Sequence, residues 1–408
     1  LETDVYQNFA LLAAFTFFYS ITSGGMARTP VNGAVVFMLF GLAVGPLGLD
    51  MLHLSIDAEG LRTLAELTLA LVLFTDAASS NLRELEHSYR IPLRLLMVGL
   101  PLTIVLGYVA GQLLFDSLGW IELAILAVML APTDAALGKA VVSDSAVPGK
   151  IREGLNVESG LNDGICVPIL FIFLILASEA GAAADTTGLA VKLVAQAVGI
   201  GVLVGVGTTW IAMRLVKAVE GRKWLTKSWQ QVTLPTLAVA CFAIAQWLGG
   251  SGFIACFVGG MLFGARPSRG IHKRLLEAES VGDTLALLTW VAFGALVVGH
   301  GLESLTWQSV CYAVLSLTVI RMLPVFIVLT GLGLGTAEKL FIGWFGPRGL
   351  ASIVFAVIVI NQKLPGGSVV IDTAIATIIL SVLLHGLSAN PLVAALASKI
   401  QAKRGRTD

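Results

Sequence analysis

Apolar segments of about 20 residues recur along this chain, with only short polar stretches between them. A bilayer core needs roughly 20 apolar residues per helix, and lipid tolerates no open sheet edge. Hydrophobic residues make up 56% of the 408 positions and charged residues 13%, whereas about a quarter of a soluble domain is charged. The sequence therefore predicts an all-α polytopic membrane protein with about 13 transmembrane helices. The predicted spans are 5–23, 31–49, 62–80, 91–115, 120–142, 154–178, 188–217, 232–250, 252–265, 282–300, 307–331, 338–361 and 369–396.

Lysine and arginine are concentrated in alternate loops. Only Arg62, Lys192 and Lys363 lie on the side of the membrane where the odd-numbered spans begin. Because cytoplasmic loops are enriched in Lys and Arg, we expect the amino terminus outside, the carboxyl terminus in the cytoplasm and a location in the cell membrane. The opening LETDVYQNF has no basic leader, so we expect the first span to be retained. The basic residues of the predicted cytoplasmic side are Arg28, Arg83, Arg90, Lys139, Lys150, Arg152, Arg214, Lys217, Arg222, Lys223, Lys227, Arg266, Arg269, Lys273, Arg274, Lys339, Lys399, Lys403, Arg404 and Arg406.

The remaining composition argues against several classes of function. The formal net charge is zero, which favours no nucleic-acid surface. The four cysteines lie among apolar residues without CxxC spacing and are interpreted as packing residues rather than disulfides or zinc ligands. We expect no cofactor. The cysteines are Cys166, Cys241, Cys256 and Cys311.

Seven charged residues lie inside the predicted spans and away from their membrane-surface ends. A charge near the bilayer centre is costly unless it is paired or hydrated, so such residues usually mark a pathway. Three arginines can neutralise at most three of four acids, which leaves one carboxylate in need of a proton or a cation. The arginines are Arg94, Arg321 and Arg348, and the acids are Asp76, Asp134, Glu158 and Asp163.

Two predicted spans are interrupted near their middle. The fifth contains LAPTDAALG (130–138) and the twelfth contains WFGPRGLAS (344–352). Proline breaks the helical hydrogen bonds, and bare backbone at membrane depth survives only beside a cavity or inside protein. The breaks lie seven spans apart, and this odd offset predicts an inverted repeat with two crossing broken helices. Asp134 and Arg348 would then neutralise the helix dipole ends at the crossing.

The sixth span opens with a polar cluster, ESGLND, at 158–163. Ser159 and Asp163 are four residues apart and share one helix face, while Glu158 and Asn162 form the adjacent strip. Burial raises the pKa of a carboxyl group and a nearby cation lowers it, so one carboxylate can hold either a proton or a cation. With the Thr133 hydroxyl, these side chains provide the oxygen ligands that hard cations take.

These motifs, ESGLND at 158–163, PTD at 132–134 and GPRGLAS at 346–352, resemble those of the monovalent cation:proton antiporters. The similarity is greatest to the electroneutral sodium/proton branch, which includes the NhaP-type antiporters and the sodium/hydrogen exchangers. It covers essentially the whole membrane region. The resemblance implies thirteen helices, a homodimer among membrane lipids, and a rocking or elevator-like motion of a six-helix core.

The resemblance also implies a division of the chain. Helices 1–3 and 7–10 would form the scaffold and dimer contacts, and helices 4–6 and 11–13 the transport core. The corresponding ranges are 1–90 for the first scaffold part, 91–178 for the first core part, 179–306 for the linker and second scaffold part, 307–396 for the second core part and 397–408 for a short cytoplasmic tail.

By the same resemblance, Asp163 would be the essential ion- and proton-binding aspartate, with Asn162 beside it. Electrogenic relatives place a second aspartate where Asn162 stands, so one-for-one electroneutral exchange is expected. Thr133 and Ser159 would be ion ligands, so that a sodium-type cation is held by Asp163, Ser159 and Thr133. Asp76 stands where relatives place an acid near the site.

Two structural ion pairs are implied as well. Glu158 and Arg321 would join helices six and eleven, and Asp134 and Arg348 would pair at the crossing point. His385, in the last span, is interpreted as a packed or hydrogen-bonded histidine rather than a pH sensor.

Three other classes of protein remain as alternatives. A cation channel would need a continuous polar pore rather than one site. An intramembrane enzyme could use Asp134 with Asp163, but no GxGD or serine-histidine arrangement is present, and we expect no enzymatic activity. A sensor or scaffold would need no surplus carboxylate. We therefore expect secondary exchange of a cation for a proton, with sodium favoured and lithium or potassium as alternatives.

Overall fold

Regular structure in the described part of the chain is entirely helical, which confirms the predicted all-α class. The computed structural model describes residues 2–26, 29, 31–52, 58–79, 89–134, 137, 141, 144, 146–179, 186–222, 224–265, 271–298, 304–360, 362 and 364–404. Some basic residues used above to predict orientation lie outside these ranges, namely Arg28, Arg83, Lys139, Lys223, Arg266, Arg269, Lys363 and Arg406.

The helices coincide with the predicted apolar segments, and the twelfth segment contains two of them. The helices are α1 Glu2–Met26, α2 Gly33–Val44, α3 Ala58–Ser79, α4 Arg90–Leu114, α5 Trp120–Met129, α6 Gly149–Glu179, α7 Thr186–Gly221, α8 Lys227–Trp247, α9 Gly252–Gly264, α10 Ile271–Ala292 with a π-helical continuation Phe293–Val298, α11 Trp307–Val328, α12 Thr336–Trp344, α13 Leu350–Ile360 and α14 Gly367–Arg404. Seven helices in the described ranges are long and apolar enough to cross a membrane, and α2, α5, α9 and α13 are shorter apolar helices. The count of thirteen crossings stays a prediction.

Close backbone contacts hold α9 between α3 and α7. A Cβ atom at Gly205 on α7 would collide with the carbonyl of Ala255, and one at Gly260 on α9 would collide with the carbonyl of Phe74. Small residues let helix backbones approach in this way. These contacts fix α3, α7 and α9 against one another.

The four cysteines are free thiols, three of them buried. Cys256 donates to the carbonyl of Ala238 at 3.2 Å, and Cys241 lies 3.3 Å from the Thr208 hydroxyl. Both contacts join neighbouring helices, in agreement with packing roles.

Arg94 on α4 bonds to a helix end. Its guanidinium donates to the carbonyls of Val328 and Thr330, at 3.0 and 2.9 Å. These carbonyls belong to the carboxyl end of α11, where the helix dipole is negative. Because these partners are backbone carbonyls, Arg94 need not neutralise any of the four acids, and three neutralised acids remain an upper limit.

The helices that precede the two interruptions begin in the same way. The backbone amide of Gly119 donates to the Glu122 carboxylate at 2.8 Å at the start of α5. Gly335 donates likewise to Glu338 at 2.7 Å at the start of α12. Such a contact satisfies one of the orphan amides at a helix start. The shared Gly-x-x-Glu start agrees with an internal repeat, although the inverted topology stays a prediction.

Candidate functional site

The two interrupted segments are hydrogen-bonded to each other. The backbone amide of Asp134, which follows α5, donates to the carbonyl of Pro347 at 2.8 Å. The amide of Leu350, the first residue of α13, donates to the Asp134 carboxylate at 2.8 Å. The Ser352 hydroxyl donates to the carbonyl of Met129 at 3.0 Å. Each interruption therefore satisfies backbone groups that the other leaves without a helical partner.

Asp134 and Arg348 do not form the direct ion pair that the sequence predicted. The buried Arg348 guanidinium donates to the carbonyl of Gly346 and, at 3.4 Å, to that of Ser316. Ser316 lies near the end of the first helical segment of α11, Trp307–Leu317, which is interrupted at Thr318. The Asp134 carboxylate instead accepts from the backbone amide of Leu350 at the start of α13 and, at 3.3 Å, from that of Leu137. Each charge is thus placed at a helix end of opposite sign, so the predicted neutralisation of dipoles is present without the predicted pair.

A doubly bonded ion pair joins α6 to α11. Arg321 donates to the two carboxylate oxygens of Glu158, at 2.5 and 2.8 Å. Both side chains are only 2% exposed. Parallel bonds from a guanidinium to a carboxylate are among the strong hydrogen bonds of proteins. The structure therefore brings together the two residues that the sequence analysis placed in a structural pair.

Three neutral polar side chains meet where α6 passes the interruption after α5. The hydroxyls of Thr133 and Ser159 lie 3.0 Å apart. The side-chain amide of Asn162 donates to the Thr133 hydroxyl at 2.7 Å. All three residues are buried. The helix spacing that puts Ser159 and Asn162 on adjacent strips of α6 thus lets both reach the same threonine.

Two buried oxygens at this cluster have no hydrogen-bond partner among the described residues, namely Asn162 Oδ1 and Asp163 Oδ1. Asp163 is 7% exposed and Asn162 1%. A buried acceptor without a partner costs free energy, and a buried carboxylate costs more. The cluster therefore fits a group that supplies positive charge or a proton to these oxygens.

Two further carboxylates act on Asp163 through their charge. They are Asp134, at the interruption, and Asp76, half-buried on α3. Asp76 thus lies near enough to influence the site, as the sequence position suggested. In the described ranges, no three His, Cys, Asp or Glu residues form a group that could hold a metal ion. The candidate ligands are instead hydroxyl, amide and single carboxylate oxygens.

Sequence reasoning missed the residues of α14 that bond to the second interruption. Ser381 accepts from the Arg348 backbone amide at 2.6 Å, and His385 lies 2.8 Å from the Trp344 carbonyl. Trp344 also donates from its indole to Ser388 at 2.9 Å. The four-residue spacing from Ser381 to His385 on one helix face was the available signal. The interpretation of His385 as a buried, hydrogen-bonded residue is confirmed.

A buried carboxylate beside two hydrogen-bonded chain interruptions, in a described structure that is all helical, is typical of multi-pass membrane transporters. Residues 12–395 match the sequence profile of the family described as sodium/hydrogen exchanger, transmembrane. The chain belongs to this family. The predicted membership in the antiporter superfamily is thereby confirmed, and a family of transporters agrees with the expectation that the chain is not an enzyme.

Individual relatives are similar over most of the chain. It is 23% identical over 390 residues to the K(+)/H(+) antiporter NhaP2 of Shewanella oneidensis, covering 95% of this chain and 67% of that one. It is 23% identical over 375 residues to the Na(+)/H(+) antiporter ApNhaP of Aphanothece halophytica, covering 86% of this chain and 68% of the relative. The chain spans about two thirds of the length of the curated relatives it matches.

A solved structure shares the fold. The sodium proton antiporter MjNhaP1 from Methanocaldococcus jannaschii, solved at pH 8, superposes with a TM-score of 0.75 at 20% sequence identity. The alignment covers 97% of this chain and 99% of that chain. The architecture described above is therefore that of a known membrane fold.

Proposed function

We propose that this protein exchanges a monovalent alkali cation for a proton, with Asp163 as the group that binds both. One observation carries the proposal: Asp163 Oδ1 and Asn162 Oδ1 are buried without hydrogen-bond partners in the described structure. The Asn162 amide bonds to the Thr133 hydroxyl, which in turn contacts that of Ser159, one helical turn from Asp163 on α6. A hard cation takes oxygen ligands of this kind. When the cation leaves, a proton on the carboxyl group removes the cost of an uncompensated buried charge.

The charges around the site support one-for-one, electroneutral exchange. Glu158 is engaged by Arg321 in the doubly bonded pair, and the Asp134 carboxylate accepts from backbone amides. The position beside Asp163 carries an uncharged amide, Asn162. A single carboxyl group that carries either one proton or one monovalent cation moves the same charge in both directions. Asp76 would add negative potential to the site.

The ligand types alone do not identify the cation. Oxygen atoms of hydroxyl, amide and carboxylate groups serve sodium, lithium and potassium alike, and cavity size and rigidity decide among them. The family description and ApNhaP support sodium, whereas the name of NhaP2 supports potassium. We favour sodium and keep potassium as the second candidate.

The exchange would proceed by alternating access. The site combines residues from the proposed core ranges 91–178 and 307–396, which would move against the scaffold ranges 1–90 and 179–306. The matching Gly-x-x-Glu starts of α5 and α12 support the inverted repeat on which such a motion depends. We further propose a homodimer in the cell membrane, with the amino terminus outside and the carboxyl terminus in the cytoplasm.

The test is proton movement in proteoliposomes that hold the purified protein under an imposed pH gradient. Sodium, lithium, potassium or choline is added in turn, with the membrane potential clamped or varied. Asp163→Asn removes the charge at the site, and Asp372→Asn makes the same change at a half-exposed aspartate near the start of α14. We expect an alkali cation, but not choline, to dissipate the gradient at a rate independent of voltage in the wild type and Asp372→Asn. Asp163→Asn should be inactive.

Two outcomes contradict the proposal. Normal exchange by Asp163→Asn would remove Asp163 from the mechanism. Cation flux that does not move protons would favour the alternative of a cation channel.

A further inference from the structure

His385 on α14 is buried between two backbone carbonyls. Its Nε2 atom lies 2.8 Å from the carbonyl oxygen of Trp344. Its Nδ1 atom lies 2.9 Å from the carbonyl of Ser381 and 3.2 Å from the hydroxyl of the same serine. The side chain is 2% exposed. Every polar atom of this imidazole therefore faces the protein.

These contacts reach both sides of the second interruption. Trp344 is the last residue of α12, and Arg348 lies two residues before α13. The Arg348 backbone amide donates to the Ser381 hydroxyl at 2.6 Å. Ser381 and His385 are one helical turn apart on α14. One turn of α14 thus binds the chain where α12 ends and again just before α13 begins.

The hydrogen-bond partners place a proton on Nε2. The Trp344 carbonyl can only accept, so the 2.8 Å contact requires Nε2–H as its donor. Nδ1 lies within reach of both the hydroxyl and the carbonyl of Ser381, and the Ser381 hydroxyl accepts from the Arg348 amide. Leucine at 385 could make none of these bonds.

A further hydrogen bond from α14 also holds the end of α12. The Trp344 indole donates to the Ser388 hydroxyl at 2.9 Å. The rings of Trp344 and His385 pack with centroids 5.1 Å apart. The end of α12 is thereby held through both its backbone and its side chain.

The interruption held in this way is bonded to the cation site. The Pro347 carbonyl, next to Arg348, accepts from the Asp134 amide at 2.8 Å. The amide of Leu350 donates to the Asp134 carboxylate at 2.8 Å. Thr133, the neighbour of Asp134 in the chain, accepts from Asn162. A shift of the interruption would therefore move the Thr133 hydroxyl relative to Asp163.

We propose that His385, acting with Ser381, is a positioning residue for cation binding: the pair fixes the interruption 345–349 and, through Asp134, the place of the Thr133 hydroxyl. This inference rests on the proposed function, since it assigns an indirect role at the same site. His385 itself touches neither the cation nor Asp163.

The test compares substitutions that keep different parts of the chain of bonds. His385→Gln places an amide nitrogen near the position of Nε2, His385→Asn places one near Nδ1, and His385→Leu removes both. Ser381→Ala removes the acceptor for the Arg348 amide. Thr373→Val, on the same helix, removes a buried hydroxyl that pairs with Ser309 and serves as the matched control.

The apparent KM for the cation and the maximal rate are measured in proteoliposomes, per molecule of folded transporter. We expect His385→Leu and Ser381→Ala to raise KM by about five- to tenfold, since each loses a buried hydrogen bond. His385→Gln should lie nearest the wild type, and Thr373→Val should keep the wild-type KM. Hydrogen exchange of the peptide 345–352 should be faster in the two damaging variants than in the control.

A purely structural role would lower the amount of folded protein and leave KM unchanged, and that result would overturn the proposal. If the KM of His385→Gln is as high as that of His385→Leu, the hydrogen bond from His385 to Trp344 is not what positions the interruption. Asp163→Asn is measured in parallel. If it exchanges normally, the proposed function fails. If it is inactive while KM is unchanged in His385→Leu and Ser381→Ala, only the positioning role fails.

Discussion

The side-chain amide of Asn162 donates a 2.7 Å hydrogen bond to the hydroxyl of Thr133. This bond ties α6 to the chain interruption after α5 and fixes which way the Asn162 amide points. Its oxygen is therefore directed away from Thr133, and it is one of the two buried acceptors without a partner in the described structure. The position of one hydroxyl thus decides how the amide beside Asp163 presents its oxygen.

Thr133→Val should weaken cation binding. Valine keeps the shape but removes the acceptor of the Asn162 amide and one proposed ligand, and an unsatisfied buried donor costs about 1–3 kcal/mol. We expect the apparent KM for the cation to rise by about tenfold or more, while Thr133→Ser stays near the wild type. The measurement is the cation dependence of exchange in proteoliposomes. Thr103→Val, which removes another buried hydroxyl on α4, is the control, and an unchanged KM in Thr133→Val would exclude the ligand role.

Breaking the pair between Glu158 and Arg321 should destabilise the protein strongly. Glu158→Gln leaves a buried guanidinium without its carboxylate, which costs about 3–5 kcal/mol. The double substitution Glu158→Met with Arg321→Met should recover most of the loss, because two apolar side chains remove both charges together. The free energy of unfolding in mixed micelles is the measurement.

The control for that pair is the i, i+4 contact between Arg62 and Glu66 on α3, 2.6 Å long, with the two side chains 41% and 12% exposed. Pairs of this kind contribute about 0.3–0.5 kcal/mol, so Glu66→Gln should change little. Equal losses in Glu66→Gln and Glu158→Gln would contradict the assignment of the buried pair as a structural contact.

Asp134 should act as a cap on the start of α13 rather than as the partner of Arg348. Asparagine is nearly as good a cap as aspartate, so Asp134→Asn should keep most of the stability. Asp134→Leu removes the acceptor for the Leu350 amide and should lower the free energy of unfolding by about 1–2 kcal/mol more. Thermal unfolding in detergent compares the two. Equal damage from asparagine and leucine would instead point to a charge that must be kept.

Much of this arrangement follows from spacing in the sequence. The i, i+4 pattern of ESGLND placed Ser159, Asn162 and Asp163 near one another, and the two proline-containing interruptions were recognisable by their residues. The pairing of Asp134 with Arg348 was predicted from their places in the two interruptions and from the family resemblance. Backbone amides and carbonyls at interrupted helices also compete for these charges, and a sequence does not display where those groups lie.

Competition from backbone groups also explains two other sets of contacts that the sequence analysis did not predict. Arg94 bonds to carbonyls at the end of α11, which counting charged side chains could not reveal. Ser381 and His385 were visible as a polar pair one turn apart on α14, but their partners are the backbone of Trp344 and Arg348. The sequence shows which membrane residues are polar. Their partners here are backbone amides and carbonyls, whose positions depend on the fold.

Asn162→Asp should make exchange depend on membrane voltage. The substitution sets a second carboxylate beside Asp163, where two negative charges favour binding of an additional proton. Two protons exchanged for one cation carry net charge, so the rate should respond to an imposed potential. The wild type measured in the same vesicles should not respond. A voltage-independent Asn162→Asp variant would contradict the view that this position sets the stoichiometry.

Proton and cation should compete at Asp163, so the apparent KM for the cation should rise as the pH falls. A protonated carboxyl group does not hold a cation, and displacement of one proton raises KM by at most about tenfold for each pH unit. The maximal rate at saturating cation should change much less. The measurement is KM as a function of pH in proteoliposomes. The control Asp372→Asn should follow the same curve as the wild type. A constant KM with a falling maximal rate would place the proton and the cation at separate groups, and a slope of two would require a second titrating carboxylate.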